Sequence, residues 1–422
     1  MNRLINGGDY LMLGFDHELR RDGYAGNSCH IFLELDSAVP VDALRRRLEL
    51  LAGHCPVLNA RPGGLIFPHW KLPGEVVPPK VRVRRQSEGV LNQIINEPLD
   101  VKNGELTRLD LIECAGAKTT IVFTWLHALM DARSAEYFIA VVGRDELPLP
   151  APEYIAPAVP HLPFRERLRR IAKNFQTYNR YRETPPRSPG IRNPDEKPRL
   201  MYHVEKFSDD ETACVQANAV RLCGALGEAQ FHAAVAAVEL HRLQTRLNCP
   251  APSYVIPVPV NLRPKGNIEP LFSNQITMLL LQFLPAQLNS VAQAVVELKK
   301  QTTCAMRDGI VEGGVLFLNS LRVLPLPVYM AFARFGLKGE ICSLFCGNTS
   351  AVNPQVTTFL GAPIEEFTHV AAVPPSPGIG VIFFQFHGEL RLTVLHLTKT
   401  LSENEAAEFA SALRSRLLNP DD

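Results

Sequence analysis

The chain reads as an α/β protein built in two halves, and three features of its 422 residues predict this. Apolar, β-branched and aromatic runs that suit strands alternate with amphipathic stretches at helical spacing in both halves. The length supports two ordinary domains, each able to bury a core. Between residues 145 and 200 the chain is punctuated by proline, from Pro148, Pro150, Pro152, Pro157, Pro160 and Pro163 to Pro185, Pro186, Pro189, Pro194 and Pro198. The expected division is residues 1–150, a proline-rich and basic linker 151–199, and residues 200–422. No residue-level repeat relates the halves.

In the first half, residues 28–36 read as a strand and 41–54 as an amphipathic helix with Leu44, Leu48 and Leu51 on one stripe. Residues 80–85 (KVRVRR) alternate as a solvated edge strand would, and 90–97 form a short helix. Residues 106–114 and 118–126 make a hairpin about Ala115–Ala117, and 119–126 is apolar enough for a buried strand. Residues 132–142 follow as a helix with Ala135, Phe138, Ile139 and Val142 at helical spacing. In the linker, 164–182 is a basic helical segment striped by Phe164, Leu168, Ile171 and Phe175; a helix packed on one domain with its charges in water is the simplest reading.

The second half opens with a strand at 200–207, then a helix announced by Ser208 and Glu211 as a capping box. Residues 226–247 form an Ala-rich helix on which His232 and His241 are expected to be partly exposed. Residues 254–262 are a strand, and 276–284 (ITMLLLQFL) are so continuously apolar that a central strand covered on both faces is expected. A helix at 290–307, a hairpin at 378–397 turning at His387–Gly388, and a final helix opened by Ser402 and Glu405 complete the chain.

Composition excludes several functions. Net charge is +1, which offers no global attraction to nucleic acid. The nine cysteines are dispersed and contain no CxxC pair, so reduced thiols in a cytoplasmic setting are expected, without a disulfide framework or zinc site. His369, His387 and His396 lack a spacing that converges on a metal, and no metal is expected. No run approaches the roughly 20 apolar residues of a transmembrane segment, and the N-terminus lacks a signal-peptide core.

The chemistry centres on His127, which leaves the end of the 119–126 strand, and Asp131, which sits where the next helix begins. A carboxylate is favoured there by the partial positive charge of the first-turn amides. Read from these residues alone, an interfacial histidine beside an aspartate cap is the simpler account. The surrounding LHALMDARS (126–134), however, resembles the HHxxxDGxS signature of the condensation-domain and acyl-CoA-dependent acyltransferase superfamily, which includes chloramphenicol acetyltransferase (CAT) and the plant BAHD enzymes. Leu126 replaces the first His, also absent from several active branches, and Ala132 replaces the Gly, which alters the loop. HCPVLNARP (54–62) resembles the opening of these domains, and PVPVNLRP (257–264) their "vpvNLR" strand. LFCGNTSAV (344–352) occupies the place of the segment that crosses back to the first sheet, and PGIG (377–380) resembles a late Gly-rich motif.

The resemblance covers most of the chain in order. It implies two CAT-like α/β sandwich subdomains, with about 340–365 crossing from the second to the first and a tunnel between them for a pantetheine thioester. It implies that His127 is the general base, and that Asp131 holds the loop through an ion pair with Arg263, or with Arg133 behind it. An oxyanion donor would come from Asn348, Thr349 or Ser350. The cosubstrate would be acyl-CoA or acyl-phosphopantetheine, with no bound cofactor. No carrier or adenylation segment is visible and no GxSxG elbow occurs. A free-standing O-acyltransferase acting on a small or lipid-like alcohol is therefore expected. An amide-forming condensation enzyme that docks an acidic acyl carrier protein through 165–182 stays open, as does a catalytically silent binding relative.

Overall fold

The strand Thr119–Leu126 is buried along its length except at Thr120, as its apolar composition requires. In the computed structural model, which describes residues 2–64, 66–75, 77–144, 157, 162–263 and 272–421, it pairs antiparallel with Thr107–Glu113 and with Ser28–Leu35. These three are the middle of a six-stranded sheet. Lys80–Arg85 forms one edge, parallel to Thr107–Glu113. Its Arg82 and Arg84 are matched by Asp110 and Glu97 at 2.6–2.8 Å, so the basic face is neutralised within the protein. Helix Val41–His54 buries Leu44, Leu48 and Leu51 on the core of this sheet.

The second sheet runs Phe345–Ala351, Ile379–Phe386, Glu389–Leu397, Leu200–Lys206. Helices Asp209–Cys223, Glu228–Arg246 and Glu403–Leu418 share its core. The first and last of these carry complete capping boxes at Ser208–Glu211 and Ser402–Glu405. A separate ribbon pairs Tyr254–Asn261 with Ile276–Phe283. The opening prolines of the linker, Pro148, Pro150, Pro152 and Pro160, and Pro264 of the NLRP stretch lie outside the described residues.

Four expectations are corrected. The segment at 344–352 does not complete the first sheet: Phe345–Ala351 pairs parallel with Ile379–Phe386 in the second. The strand that crosses is Ala362–Ala371, which pairs antiparallel with Ser28–Leu35. Cys346 belongs to the second core, while Arg133 takes the free carbonyls of Thr349 and Ala351 at 2.7 Å. After a turn through Gly361 (φ +82°), Ile364 and Phe367 supply the apolar face that the first core takes. Second, Ile276–Phe283 is not a central strand. Its Thr277, Leu279, Leu281 and Phe283 are buried, while Ile276, Met278 and Leu280 on the other face line cavities.

Third, His232 is buried at 1 % exposure rather than half-exposed. Fourth, the apolar stripe of helix Phe164–Arg180 docks only in part: Phe164 and Leu168 are exposed and Phe175 meets Phe317 at 6.1 Å, while the closest approach to Ile310–Leu321 is made by Arg170 and Asn174. The close approach uses Gly313, where a Cβ would stand 2.5 Å from the Arg170 carbonyl oxygen. Helices Gly7–Arg21, Ile310–Leu321 and Leu326–Phe335 were not expected from the sequence.

Candidate active site

The loop from Leu126 to Ala132 is fixed by backbone and side-chain bonds on every side. The His127 amide donates to the Asn27 carbonyl (2.9 Å), and its own carbonyl accepts from Asn274 Nδ2 (2.8 Å). Trp125 Nε1 donates to the Met130 carbonyl (3.0 Å), pinning the far end of the loop to the strand that delivers it. Asn274 is held by the fully buried Asp9, whose Oδ1 accepts from the Asn274 amide and from Nδ2 at 2.8 and 2.9 Å. The His127 ring is half-buried. Its Nδ1 is enclosed without a hydrogen-bond partner, leaving Nε2 as the nitrogen that reaches the cavity. Burial pushes its pKa below the usual histidine value, with its own carbonyl and Asp131 opposing in part, so the ring is a neutral acceptor near pH 7.

Asp131 caps helix Ala132–Gly143, its Oδ1 accepting from the Ser134 amide at 2.9 Å. The same oxygen takes Arg263 Nη2 at 2.6 Å, and Oδ2 accepts the Gln275 amide at 2.8 Å. Arg263 also donates to Ser134 Oγ (2.7 Å). The carboxylate therefore ties the histidine loop to both strands of the ribbon, and all of its bonds are structural. Arg133 goes elsewhere, to Glu136 at 2.9 Å and to the Phe345–Ala351 strand.

That strand brings Asn348, Thr349 and Ser350 to the cavity wall opposite, at a bulge where Ser350 takes φ +58°. The Asn348 amide is used at both ends: Nδ2 meets His232 Nδ1 at 2.9 Å, and Oδ1 accepts the Ser350 amide at 2.8 Å. Burial lowers His232 to about 3, which keeps its ring neutral and able to accept. Thr349 Oγ1 is enclosed without a partner among the described residues, so like His127 Nδ1 it is closed off from the cavity, and none of the three side chains is singled out as a donor.

His127, Asp131, Arg263 and the 348–350 bulge surround a cavity of about 300 Å³. A second cavity of about 450 Å³ lies against it, walled by the Gly7–Arg21 and Ile310–Leu321 helices and mostly apolar. The two share Met12, Phe15, Ile276, Met278 and Phe345 as lining, so the apolar run at 276–283 is explained by its one face serving both. Sequence reasoning missed Asp9, Asn274, Glu136 and His369. Only Glu136 left a signal, since it stands on the buried stripe of its helix beside Ala135 and Ile139, where a carboxylate needs partners.

No family model and no curated protein sequence matches the chain. Solved structures do. The first condensation domain of the calcium-dependent antibiotic synthetase, in complex with a substrate analogue, matches with a TM-score of 0.71 at 16 % identity, over 100 % of this chain and 97 % of that one. The trichothecene 15-O-acetyltransferase from Fusarium sporotrichioides matches with a TM-score of 0.71 at 11 % identity, over 99 % and 95 %. The condensation domain of the monacolin K polyketide synthase matches with a TM-score of 0.65 at 13 % identity, over 100 % and 98 %. The chain has the two-subdomain, CAT-like α/β fold that condensation domains share with that acetyltransferase.

Proposed function

We propose that the protein is an acyltransferase that moves an acyl group from a CoA thioester to a hydroxyl, with His127 as general base. The observation that carries this is the His127 ring itself: neutral by burial, held through its backbone on both sides, and open through Nε2 to a largely apolar cavity. Nε2 takes the acceptor's proton as the acceptor oxygen attacks the thioester carbonyl. A donor from the 348–350 bulge, Asn348, Thr349 or Ser350, stabilises the oxyanion of the tetrahedral intermediate. The intermediate collapses with cleavage of the C–S bond, and the imidazolium returns the proton to the departing thiolate, giving free thiol and ester. Asp131 and Arg263 touch neither substrate; they hold the loop. No cofactor is needed, since the thioester brings its own activation.

The neighbours of known structure include both condensation domains and an acetyltransferase. A carrier-bound donor, as in an amide-forming condensation enzyme, is the second reading. It is favoured by Arg165, Arg167 and Arg180 of helix Phe164–Arg180, which have no acidic partner among the described residues and could meet an acidic carrier. We place the subdomain boundary in 151–199 and the protein in the cytoplasm, where nine unpaired cysteines stay reduced. Among the described residues no helix is long and apolar enough to cross a membrane.

The test is release of free thiol from acetyl-, hexanoyl- and decanoyl-CoA over a panel of alcohols and amines, wild type beside His127→Ala. Turnover that falls by roughly a hundredfold or more in the variant, with its circular dichroism unchanged, supports the reading. Turnover retained in His127→Ala refutes the mechanism, and turnover only with an acyl carrier protein selects the second reading.

A further inference from the structure

The cavity that holds His127 contains a second histidine. His369 lies on the crossing strand Ala362–Ala371, 2 % exposed, with its ring edge-on to Phe367 and Phe384. Its Nε2 sits 3.0 Å from Oε1 of Glu136, which is fully buried. The other Glu136 oxygen is bonded by Arg133 Nη1 (2.9 Å) and the Asn353 amide (3.0 Å). Arg133 already balances the carboxylate charge, and the geometry makes His369 Nε2–H the donor and Glu136 Oε1 the acceptor. That fixes the tautomer and leaves the Nδ1 lone pair unused. His369 Nδ1 has no protein partner among the described residues, yet it is not one of the enclosed, unsatisfied atoms, and the residue lines the cavity. A pair serving only the core would enclose or bond both ring nitrogens.

We infer that the Glu136–His369 pair is a second recognition point of this cavity, whose Nδ1 accepts a hydrogen bond from a hydroxyl or amine that the acyl acceptor carries away from its reacting atom. The inference rests on the acyl-transfer reading for the word acceptor, but not for the ligand's chemistry. A lone pair aimed into an apolar cavity selects a ligand that donates and disfavours an anion. Sheet register gives the spacing. His369 pairs with Ile31 and Ile31 with Phe123, so His369 stands level with a residue four before His127 and two strands away. That is roughly 13 Å along the strands and roughly 10 Å across them. The two imidazoles therefore cannot grip one atom or a vicinal pair; the ligand they share is extended, with polar groups at both ends and an apolar middle. His369 is thus a specificity-determining contact, and Glu136 is a positioning residue that acts through it.

The experiment compares α,ω-diols and amino alcohols of four to twelve carbons with mono-alcohols of equal length, using hexanoyl-CoA as donor. The expected result is that at least one bifunctional acceptor exceeds its mono-alcohol by about tenfold or more in kcat/KM, chiefly through KM and well beyond the twofold statistical advantage of two reactive ends. His369→Phe, which keeps an apolar ring, removes the preference. His369→Asn, which returns an acceptor oxygen near the place of Nδ1, restores part of it, and Glu136→Gln weakens it by loosening the tautomer. A preference of twofold or less across the whole series, or one that survives His369→Phe, overturns the inference.

A second readout does not need turnover and so separates failure here from failure of the acyl-transfer reading. In protein labelled with ¹⁵N-histidine, His369 is assigned from its loss in His369→Phe. Nε2 should carry the proton at pH 7, and Nδ1 should shift when the preferred diol is added and not when the mono-alcohol is. A proton on Nδ1, or equal responses to both ligands, overturns the inference whether or not the enzyme turns over.

Discussion

Removing the Asp131 carboxylate would leave Arg263 buried, the Gln275 amide without its acceptor and helix Ala132–Gly143 without its cap. The two side chains are only 3 % and 6 % exposed, so solvent cannot replace the lost partner. Breaking such a pair from one side costs about 3 kcal/mol or more. Asp131→Ala is therefore expected to lower the thermal midpoint by several degrees, while Asp131→Asn, which keeps the cap oxygen, loses less; an Asp131→Ala midpoint within a degree of wild type would mean the ion pair contributes nothing. His127 carries a different expectation. Because burial lowers its pKa, the neutral base is still present below pH 6.5, so the acid limb of kcat/KM should fall below that value and drop tenfold per pH unit beneath it. An acid limb centred above pH 6.5 would assign it to another group. The His127 motif was legible in the sequence because its parts are local. The Glu136–His369 pair was not, since its members are 233 positions apart and only the crossing strand brings them together.

At the scale of elements, the amphipathic pattern gave the helix Phe164–Arg180 and its packing on one domain, but only part of its docking face. Hydrophobicity alone would turn Phe164, Leu168 and Phe175 inward, yet Phe164 and Leu168 are exposed and only Phe175 meets the neighbouring helix, at Phe317. What decides the contact is how near two backbones can come, and Gly313 lets the Arg170–Asn174 face reach helix Ile310–Leu321, where Asn174 Nδ2 bonds the Ile310 carbonyl at 3.1 Å. Gly→Ala within a helix ordinarily stabilises it by up to about 1 kcal/mol. At Gly313 the added Cβ would stand 2.5 Å from a carbonyl oxygen, and backbone cannot step aside as a flexible side chain would. Gly313→Ala should therefore reverse the usual sign, and the amides of residues 164–180 should exchange hydrogen faster than in wild type. Unchanged exchange there would show that the helix is held by something other than this approach. The strand Ile276–Phe283 teaches the complementary lesson: an unbroken apolar run signals two apolar faces, but one of them here fronts cavities rather than protein.

Across the whole molecule, most strands and helices of each half were readable from periodicity, but helices Gly7–Arg21, Ile310–Leu321 and Leu326–Phe335 and the strand Ala362–Ala371 were not. The strand that stitches the halves together was expected at 344–352, whereas the ten-residue strand Ala362–Ala371 joins the first sheet, because the pattern of neither stretch says which sheet it will join. Histidines buried in both halves give the assembled fold a property that no one element has. His30 in the first sheet is lowered by burial to about 3, with Arg108 nearby adding to the effect, while His232 and His396 in the second subdomain are lowered to about 3 and about 4. Each is neutral in the fold and takes a proton near pH 6.5 when unfolded. Between pH 6.5 and about 4 the unfolded chain thus binds more protons than the native one, so stability falls as pH falls through that window and is complete above it. Each fully differing proton changes stability by about 1.4 kcal/mol per pH unit, and three together by about 4. His396 is the one to remove: both its ring nitrogens are buried without partners and it stacks on His203 at 5.7 Å, so Phe fits its chemistry better. His396→Phe should leave the thermal midpoint at pH 7.5 equal or higher and make its decline between pH 6.5 and 4.5 shallower by about a third. A decline as steep as wild type's would place the acid sensitivity in carboxylates, whose stabilising pairs are lost at lower pH, and not in the buried imidazoles.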